Sequence, residues 1–333
     1  MSPLNILIEA RPFCIFDDTP MQELKAAGLH LTDMRGSGVH DSRFTTALQT
    51  ADIVLCGNDL RVDDTLLEAS PRLSAVAKLG VGLDTIDIPA ATQKDILVFH
   101  TPGTNTQAVA DHTFALILSV ARKILFCDRS LRENRWEHTK IMGVEIWQKT
   151  LGLIGLGAIG QGVARRAKGF DMKVTAYDPY WPEAFANAHG IERMEVETLL
   201  RVSDIVSIHS PLTPENRGMI NAKTLSLMKP GAFLINTARG EIVKEADLYQ
   251  ALKEKRIAGA GLDVFEHEPP VDSPLLTLDN VVLTPHTAAF TEDALKNMSR
   301  SIAAQILDYV RGNRPRHTVN TDVWEKSRER HAP

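Results

Sequence analysis

The stretch Leu151-Gly152-Leu153-Ile154-Gly155-Leu156-Gly157-Ala158-Ile159-Gly160 decides how this chain is read. An apolar run ends in a G-x-G-x-x-G pattern, and an apolar-periodic segment, residues 159–170, begins inside it. Gly155 permits a tight turn after a strand, Gly157 lets phosphates approach the backbone, and Gly160 lets helix and strand pack closely. The helix start then offers free N–H groups and a partial positive charge. A bare glycine pattern is weak, because glycines at a helix start also serve packing alone. Here the context adds to it. A second expected strand, Lys173–Tyr177, ends in Asp178, 18 positions past Gly160 and about where a ribose-binding acid belongs. Its carboxylate can accept from both ribose hydroxyls and repels a 2′-phosphate. Pro179, Tyr180 and Trp181, which follow, bring no Arg or Lys. The pattern therefore predicts a dinucleotide site with NAD favoured over NADP, and the cofactor is expected to be NAD.

Outward from this stretch, short aliphatic and β-branched runs recur at residues 4–8, 53–56, 73–77 and 96–99. They continue at 174–177, 205–208, 232–235, 258–262 and 281–283. Helix-like segments such as 246–255 and 295–310 separate them. This alternation predicts parallel α/β architecture, and nearly continuous apolar runs suit strands covered on both faces. Residues 105–131 read as one long helix, with Val109, Phe114, Leu118 and Val120 on its apolar stripe and Pro102 and Gly103 before it as a hinge. A second long helix is expected from about 291 to 311. The polar tail, 321–333, is expected to fray. There is no internal repeat, low-complexity tract or charge block.

The length of 333 residues suggests two domains. Hydrophobic residues make up 44% and charged residues 24%, the ordinary mix of a soluble enzyme. A net charge of -5 gives no footprint for nucleic acid, and no basic helix suggests a membrane surface. Glu9, Arg11, Asp17 and Asp18 follow the first apolar run too soon for a signal peptide, and the apolar run 114–121 is too short to span a bilayer. Cys14, Cys56 and Cys127 are too scattered for a disulfide framework or a metal site. They read as small buried apolar groups in a reducing, cytoplasmic compartment, and no metal is expected.

Ligands of open parallel sheets sit outside the carboxyl ends of the strands. Three successive expected strands end there in chemistry-bearing residues. The run 232–235 leads to Asn236, Thr237 and Arg239; 258–262 leads to Asp263 and then Glu268; 281–283 leads to Thr284, Pro285 and His286. Taken singly, these are a surface charge, a solvated turn and a loop histidine. Taken together they suit a 2-keto acid. Arg239 can fork onto the carboxylate and polarise the carbonyl. His286 can give a proton to the carbonyl oxygen as hydride arrives. Glu268 can hold the other imidazole nitrogen and favour the charged form.

These motifs resemble the D-2-hydroxyacid dehydrogenase family, most of all its phosphoglycerate dehydrogenase-like branch, over residues 50–320. Residues 155–160 with Asp178, 236–241, 261–270 and 284–288 match its four motifs in order and spacing. The resemblance implies Arg239, Glu268 and His286 as the catalytic three, with Arg239 and His286 also meeting substrate and cofactor. It implies Asp263 on the nicotinamide carboxamide, Ala158 and Ile159 on the pyrophosphate, and His209, Pro211 and Thr213 beside the adenosine. Thr237 and Ala238 join the cofactor set. Val81 and Gly82 would hold the substrate carboxylate by their backbone. Lys78 stands where the branch often has an arginine, and Asn105 lies beside the same pocket.

The implied fold is a Rossmann-type, doubly wound NAD domain, residues 101–289, inserted in a flavodoxin-like α/β substrate domain made of 1–100 and 290–333. Residues 123–148, with Trp136 and Trp147, resemble the arm through which relatives form homodimers; from sequence, core burial explains those tryptophans equally well. The chain stops soon after its last expected helix, so feedback through a C-terminal regulatory domain is not expected. The alternatives are a glyoxylate or hydroxypyruvate reductase and, in a different class, an NAD-sensing corepressor-like protein.

Overall fold

The computed structural model describes residues 3–37, 41–139 and 141–329. Chain contacts divide it into two units, Met1–Asn105 with Phe290–Pro333, and Thr106–Ala289.

The first unit is built on β1 Asn5–Ile8, β2 His30–Asp33, β3 Ile53–Cys56, β4 Ala75–Lys78 and β5 Leu97–Phe99. All pairings are parallel, in the flavodoxin-like order β2-β1-β3-β4-β5. Side chains alternate across a strand, so a sheet covered on both faces needs apolar residues at every position. Ile6, Ile8, Ile53, Leu55, Ala75 and Ala77 pack on one face against Leu295, Met298 and Ile302 of the helix Glu292–Val310. Leu7, Val54, Cys56, Val76 and Val98 fill the other face. Thr291 caps that helix by accepting from the Ala294 N–H at 3.2 Å.

The tail does not fray over 321–329. Asn320 is buried; its Oδ1 accepts from Val98 N at 2.8 Å and its Nδ2 donates to Ile96 O at 2.9 Å. A short helix, Trp324–Glu329, follows, with Val323 buried and the Trp324 ring 6.0 Å from that of Tyr309. One asparagine and one aromatic pair anchor a segment whose composition is polar. Residues 330–333 of the expected frayed tail lie outside the described residues.

The second unit holds β6 Thr150–Ile154, β7 Lys173–Tyr177, β8 Glu192–Arg193, β9 Ile205–Ile208, β10 Phe233–Asn236, β11 Gly259–Leu262 and β12 Val281–Leu283. The parallel order is β12-β11-β10-β9-β6-β7-β8. Read from β8 to β11 this is the Rossmann order 3-2-1-4-5-6, with β12 added outside it. Two strands were not expected from sequence. β2 and β8 are edge strands whose residues are mostly half-buried or exposed, so no apolar run marks them.

The single helix expected over 105–131 is two, Thr106–Arg122 and Ile124–Arg132. The break is at Lys123, whose φ of 54 and ψ of 38 are left-handed. Neither Gly nor Pro marks it, so local sequence gave no sign. The stripe of the first helix, with Val109, Phe114 and Val120, is buried, whereas Ile124, Leu125 and Leu131 of the second are exposed. Trp136 and Trp147 are exposed too, which removes the core-burial reading. Cys14 and Cys56 are buried and Cys127 is half-buried; all three are free. Among the described residues no helix is long and apolar enough to cross a membrane.

Candidate active site

β6 lies between β7 and β9, where the strand order of its sheet reverses direction. The glycines after it have different causes. A Cβ on Gly155 would lie 2.7 Å from the backbone of His209 and Ser210, and one on Gly160 would lie 2.2 Å from Gly155 O. The protein itself demands those two. A Cβ on Gly157 would meet nothing within 4 Å. The open space there suits an approaching phosphate. The helix Ala158–Ala167 starts at Gly157 with no side-chain cap and no acid in its first turn. Its first N–H groups, including those of Ala158 and Ile159, have no partner within the helix and favour an anion. Asp178 Oδ2 accepts from Leu156 N at 2.6 Å and Oδ1 from Tyr180 N at 2.7 Å. This fixes the carboxylate beside the glycine loop and leaves lone pairs for ribose hydroxyls. These residues fit a dinucleotide.

His209 follows β9, with its Nε2 2.9 Å from Ser207 Oγ. Burial pushes its pKa down to about 3, so the ring is neutral. Asn216 stitches the loop beyond, accepting from Thr213 N at 2.8 Å and donating to Pro211 O at 2.7 Å. Nothing in the local sequence marks Asn216 for this role.

β10, β11 and β12 are neighbours whose ends lie level, with Asn236 opposite Leu262 and Leu262 opposite Leu283. Their following loops therefore leave from one sheet edge. Asn236 is buried and clamps the first loop: its Oδ1 accepts from Ala238 N at 3.0 Å and its Nδ2 donates to Arg239 O at 2.9 Å. Arg239 Nη1 donates to Ala238 O at 2.6 Å. The Thr237 hydroxyl lies 3.2 Å from that of Thr113. A Cβ on Gly240 would sit 1.9 Å from the carbonyl carbon of Phe265, so only glycine lets the Arg239 loop touch the loop leading to Glu268.

His286 Nδ1 lies 2.7 Å from Glu268 Oε2, and Glu268 Oε1 accepts from Phe265 N at 3.1 Å. Burial pushes the Glu268 carboxyl upward, but the bond and charge of His286 with the Phe265 N–H outweigh it, leaving its pKa below the usual value. An ionised acceptor makes Nδ1 the donor, which leaves Nε2 for chemistry. The two side chains are 35% and 37% exposed, enough for a solute to reach them. Asp263 is fully buried. Its Oδ1 accepts from Thr284 Oγ1 at 2.6 Å and Thr287 N at 2.8 Å, and its Oδ2 from Ala288 N at 2.9 Å. Burial would raise its pKa, but bonds from His112, Thr284, Ala288 and Thr287 bring it below the usual value. Nothing in the local sequence marks His112 or the Thr284 hydroxyl for this role. Their partners are remote in the chain, so no local pattern reveals them.

In the first unit, Lys78 is buried and donates to Gly57 O, to Asn58 Oδ1 at 2.9 Å and to Thr85 Oγ1 at 3.2 Å. Gly80 N donates to Thr101 Oγ1 at 2.9 Å, and His100 Nδ1 lies 2.9 Å from Val81 O, so both ends of the turn before Gly82 are held. Asn105 is buried, and its Oδ1 has no hydrogen-bond partner among the described residues. Among the described residues no group of three or more His, Cys, Asp or Glu could hold a metal ion.

The sheet order, the glycine loop and a carboxylate-held histidine at the strand ends define a dinucleotide-binding α/β protein with acid–base capability. Residues 114–288 match the model of the D-isomer specific 2-hydroxyacid dehydrogenase NAD binding domain. The chain belongs to the D-isomer specific 2-hydroxyacid dehydrogenase family. It is 44% identical over 277 residues to a D-3-phosphoglycerate dehydrogenase of Archaeoglobus fulgidus, covering 83% of this chain and 53% of that one. The chain thus spans about half the length of that relative. It is 45% identical over 267 residues to a glyoxylate reductase of Korarchaeum cryptofilum, covering 79% and 80%. Among solved structures it resembles the D-lactate dehydrogenase of Aquifex aeolicus complexed with NAD and lactic acid. There the TM-score is 0.83 and the identity 30%, covering 97% of this chain and 98% of that one.

Proposed function

We propose that the chain is an NAD-dependent oxidoreductase moving a hydride between nicotinamide C4 and C2 of a small D-2-hydroxy acid or its 2-keto partner. The observation that carries this reading is the 2.7 Å contact of His286 Nδ1 with Glu268 Oε2, on loops leaving the same sheet edge as the Arg239 loop. A histidine held by a carboxylate at one nitrogen keeps its other nitrogen oriented to hold a proton. In the reducing direction His286 Nε2 gives that proton to the substrate oxygen; in the reverse direction it takes it back. Arg239 forks onto the carboxylate and carbonyl and steadies the charge growing on oxygen. Ala158 and Ile159 hold the pyrophosphate, and Asp178 holds the ribose. Pro211, Thr213, Thr237 and Ala238 line the cofactor, whereas the fully buried Asp263, its oxygens taken by Thr284, Thr287 and Ala288, holds the loop rather than the carboxamide expected from the resemblance. When bound, NAD supplies or takes up the hydride.

The relatives include both phosphoglycerate dehydrogenases and glyoxylate reductases. One observation favours the second, unphosphorylated class. A distal phosphate needs two or more cations, whereas the buried Lys78 ammonium already donates to Gly57, Asn58 and Thr85. In the first unit this reading gives the substrate carboxylate to the backbone of Val81 and Gly82, with Asn105 beside it. A screen of NADH oxidation over glyoxylate, hydroxypyruvate, pyruvate, phenylpyruvate, 2-ketoglutarate and phosphohydroxypyruvate tests both points. Turnover with glyoxylate or hydroxypyruvate ahead of phosphohydroxypyruvate is the expected result. Tight NADH binding with no turnover across the panel would replace the enzyme by an NAD sensor.

The same reading takes a second copy of the chain as partner, through residues 123–148. Trp136 is 77% and Met142 80% exposed there, an apolar surface of the kind interfaces cover. It also places the protein in the cytoplasm, which the three free cysteines support.

A further inference from the structure

We infer that His112 is a positioning residue for His286, acting through the Thr284 hydroxyl and the Asp263 carboxylate. The inference rests on the acid–base role proposed for His286.

The helix Thr106–Arg122 lies along β11 in a regular register. A Cβ on Gly259 would be 2.8 Å from Val120 Cγ2, and one on Gly261 would be 2.9 Å from Leu116 Cβ. Four helical residues advance about 6 Å and two strand residues about 6.6 Å. The next pair in that series is His112 with Asp263. The two glycines let the helix lie close enough for the pair to form.

The bonding then has one consistent assignment. An ionised carboxylate cannot donate, so the Thr284 hydroxyl gives its single hydrogen to Asp263 Oδ1 at 2.6 Å. The contact of His112 Nε2 with Thr284 Oγ1 at 2.9 Å therefore has the imidazole as donor. His112 Nε2 also stands 3.5 Å from Asp263 Oδ1. Asp263 in turn holds the segment that carries the acid–base group. Its carboxylate takes the Thr287 and Ala288 N–H groups, and its carbonyl takes the His286 N–H at 2.8 Å. His286 has φ of +52, a left-handed conformation that costs a non-glycine residue and persists only where the surroundings enforce it. Residues 284–288 thus wrap a buried anion. His112 steadies the hydroxyl that faces it from outside the wrap. Without that N–H the hydroxyl is free to turn from the carboxylate, the wrap loosens, and His286 leaves its line to Glu268.

The test compares His112→Phe, which keeps a flat ring but has no N–H, with His112→Gln, whose amide can donate. Backbone amide exchange over 284–288 is read in the full chain without cofactor. NADH affinity and kcat are read with whichever keto acid the wild type turns over. His112→Phe should speed exchange at 286–288 and lower kcat, each about tenfold or more, since small misplacements near the chemistry cost that much. Its NADH Kd should stay within about twofold. His112→Gln should restore both losses in large part. Wild-type exchange and kcat in His112→Phe would overturn the inference, and so would a glutamine variant as impaired as the phenylalanine one. If His112→Phe fails to fold, Thr284→Val against Thr284→Ser repeats the comparison, with the serine variant expected to recover. A wild type that turns over no keto acid sinks the proposed function instead, and the exchange comparison still decides the loop-holding role.

Discussion

On the proposed reading, replacing His286 by alanine removes the group that hands a proton to the substrate oxygen and leaves the glycine loop untouched. His286→Ala should lose at least ~10²-fold in kcat, because positioned acid–base groups typically supply that much. A fluorescence titration should find NADH binding retained, and near-normal turnover would remove the assignment. Asp178→Ala should weaken NAD and narrow its preference over NADP; an unchanged ratio would mean that this carboxylate does not read the ribose. His209 makes a prediction about pH. Burial holds its folded pKa at about 3, below the ordinary value of 6.5, so unfolding takes up a proton between those limits. Its contribution to stability is present above about pH 6.5 and is lost as pH falls toward 3. Urea unfolding of His209→Gln should show a flatter pH dependence between about pH 6 and about pH 4.5, by up to one proton. Glu268 and Asp263, whose pKa values are lowered, add their own loss of stability only as pH falls below the ordinary carboxylate values, beneath the range of that comparison. The placement of Arg239, Glu268 and His286 on loops beyond strand ends was legible because the apolar runs before them mark the strands. His112 was not, because its partner Thr284 stands 172 residues away.

At the scale of elements, the apolar runs located ten strands because a sheet covered on both faces leaves little room for polar residues. β2 and β8 escaped because their half-buried or exposed residues are mostly polar, unlike those of the apolar edge strands β5 and β12. The break at Lys123 escaped because a left-handed lysine carries no signature, and the stripe of the first helix runs on into exposed Ile124 and Leu125. The ordered tail escaped because Asn320 works through hydrogen bonds to β5 rather than through apolar periodicity. Gly240 shows how an element contact shapes the site. Gly240→Ala places a methyl group 1.9 Å from the Phe265 carbonyl carbon and must push the Arg239 loop from the Glu268 loop. The variant should lose about 1–3 kcal/mol of stability, as overpacking usually does. Its kcat should fall as well. Urea melts beside steady-state kinetics check this, and wild-type values in both would show that the loops need no such contact.

For the whole molecule, the exposed apolar side chains between 124 and 147 predict self-association. Light scattering on the purified chain should give a dimer mass, and Trp136→Glu with Leu131→Lys should shift it toward monomer; a wild type that is monomeric at all concentrations would end that reading. Both sheets and the nucleotide-binding loop were legible in the sequence because strand order and glycine spacing follow from steric rules. Substrate choice was less so. Lys78 looks like an available cation in sequence, and only the structure shows its ammonium donating inside its own unit. The central claim is that hydride reaches C2 of a 2-keto acid and the proton comes from the protein. NADH carrying deuterium at the transferred position of nicotinamide C4, turned over with the best keto acid of the panel, tests it directly. The account predicts one deuterium at C2 of the D-hydroxy acid and none on its oxygen after exchange into water. An unlabelled C2, or an L product, would contradict it.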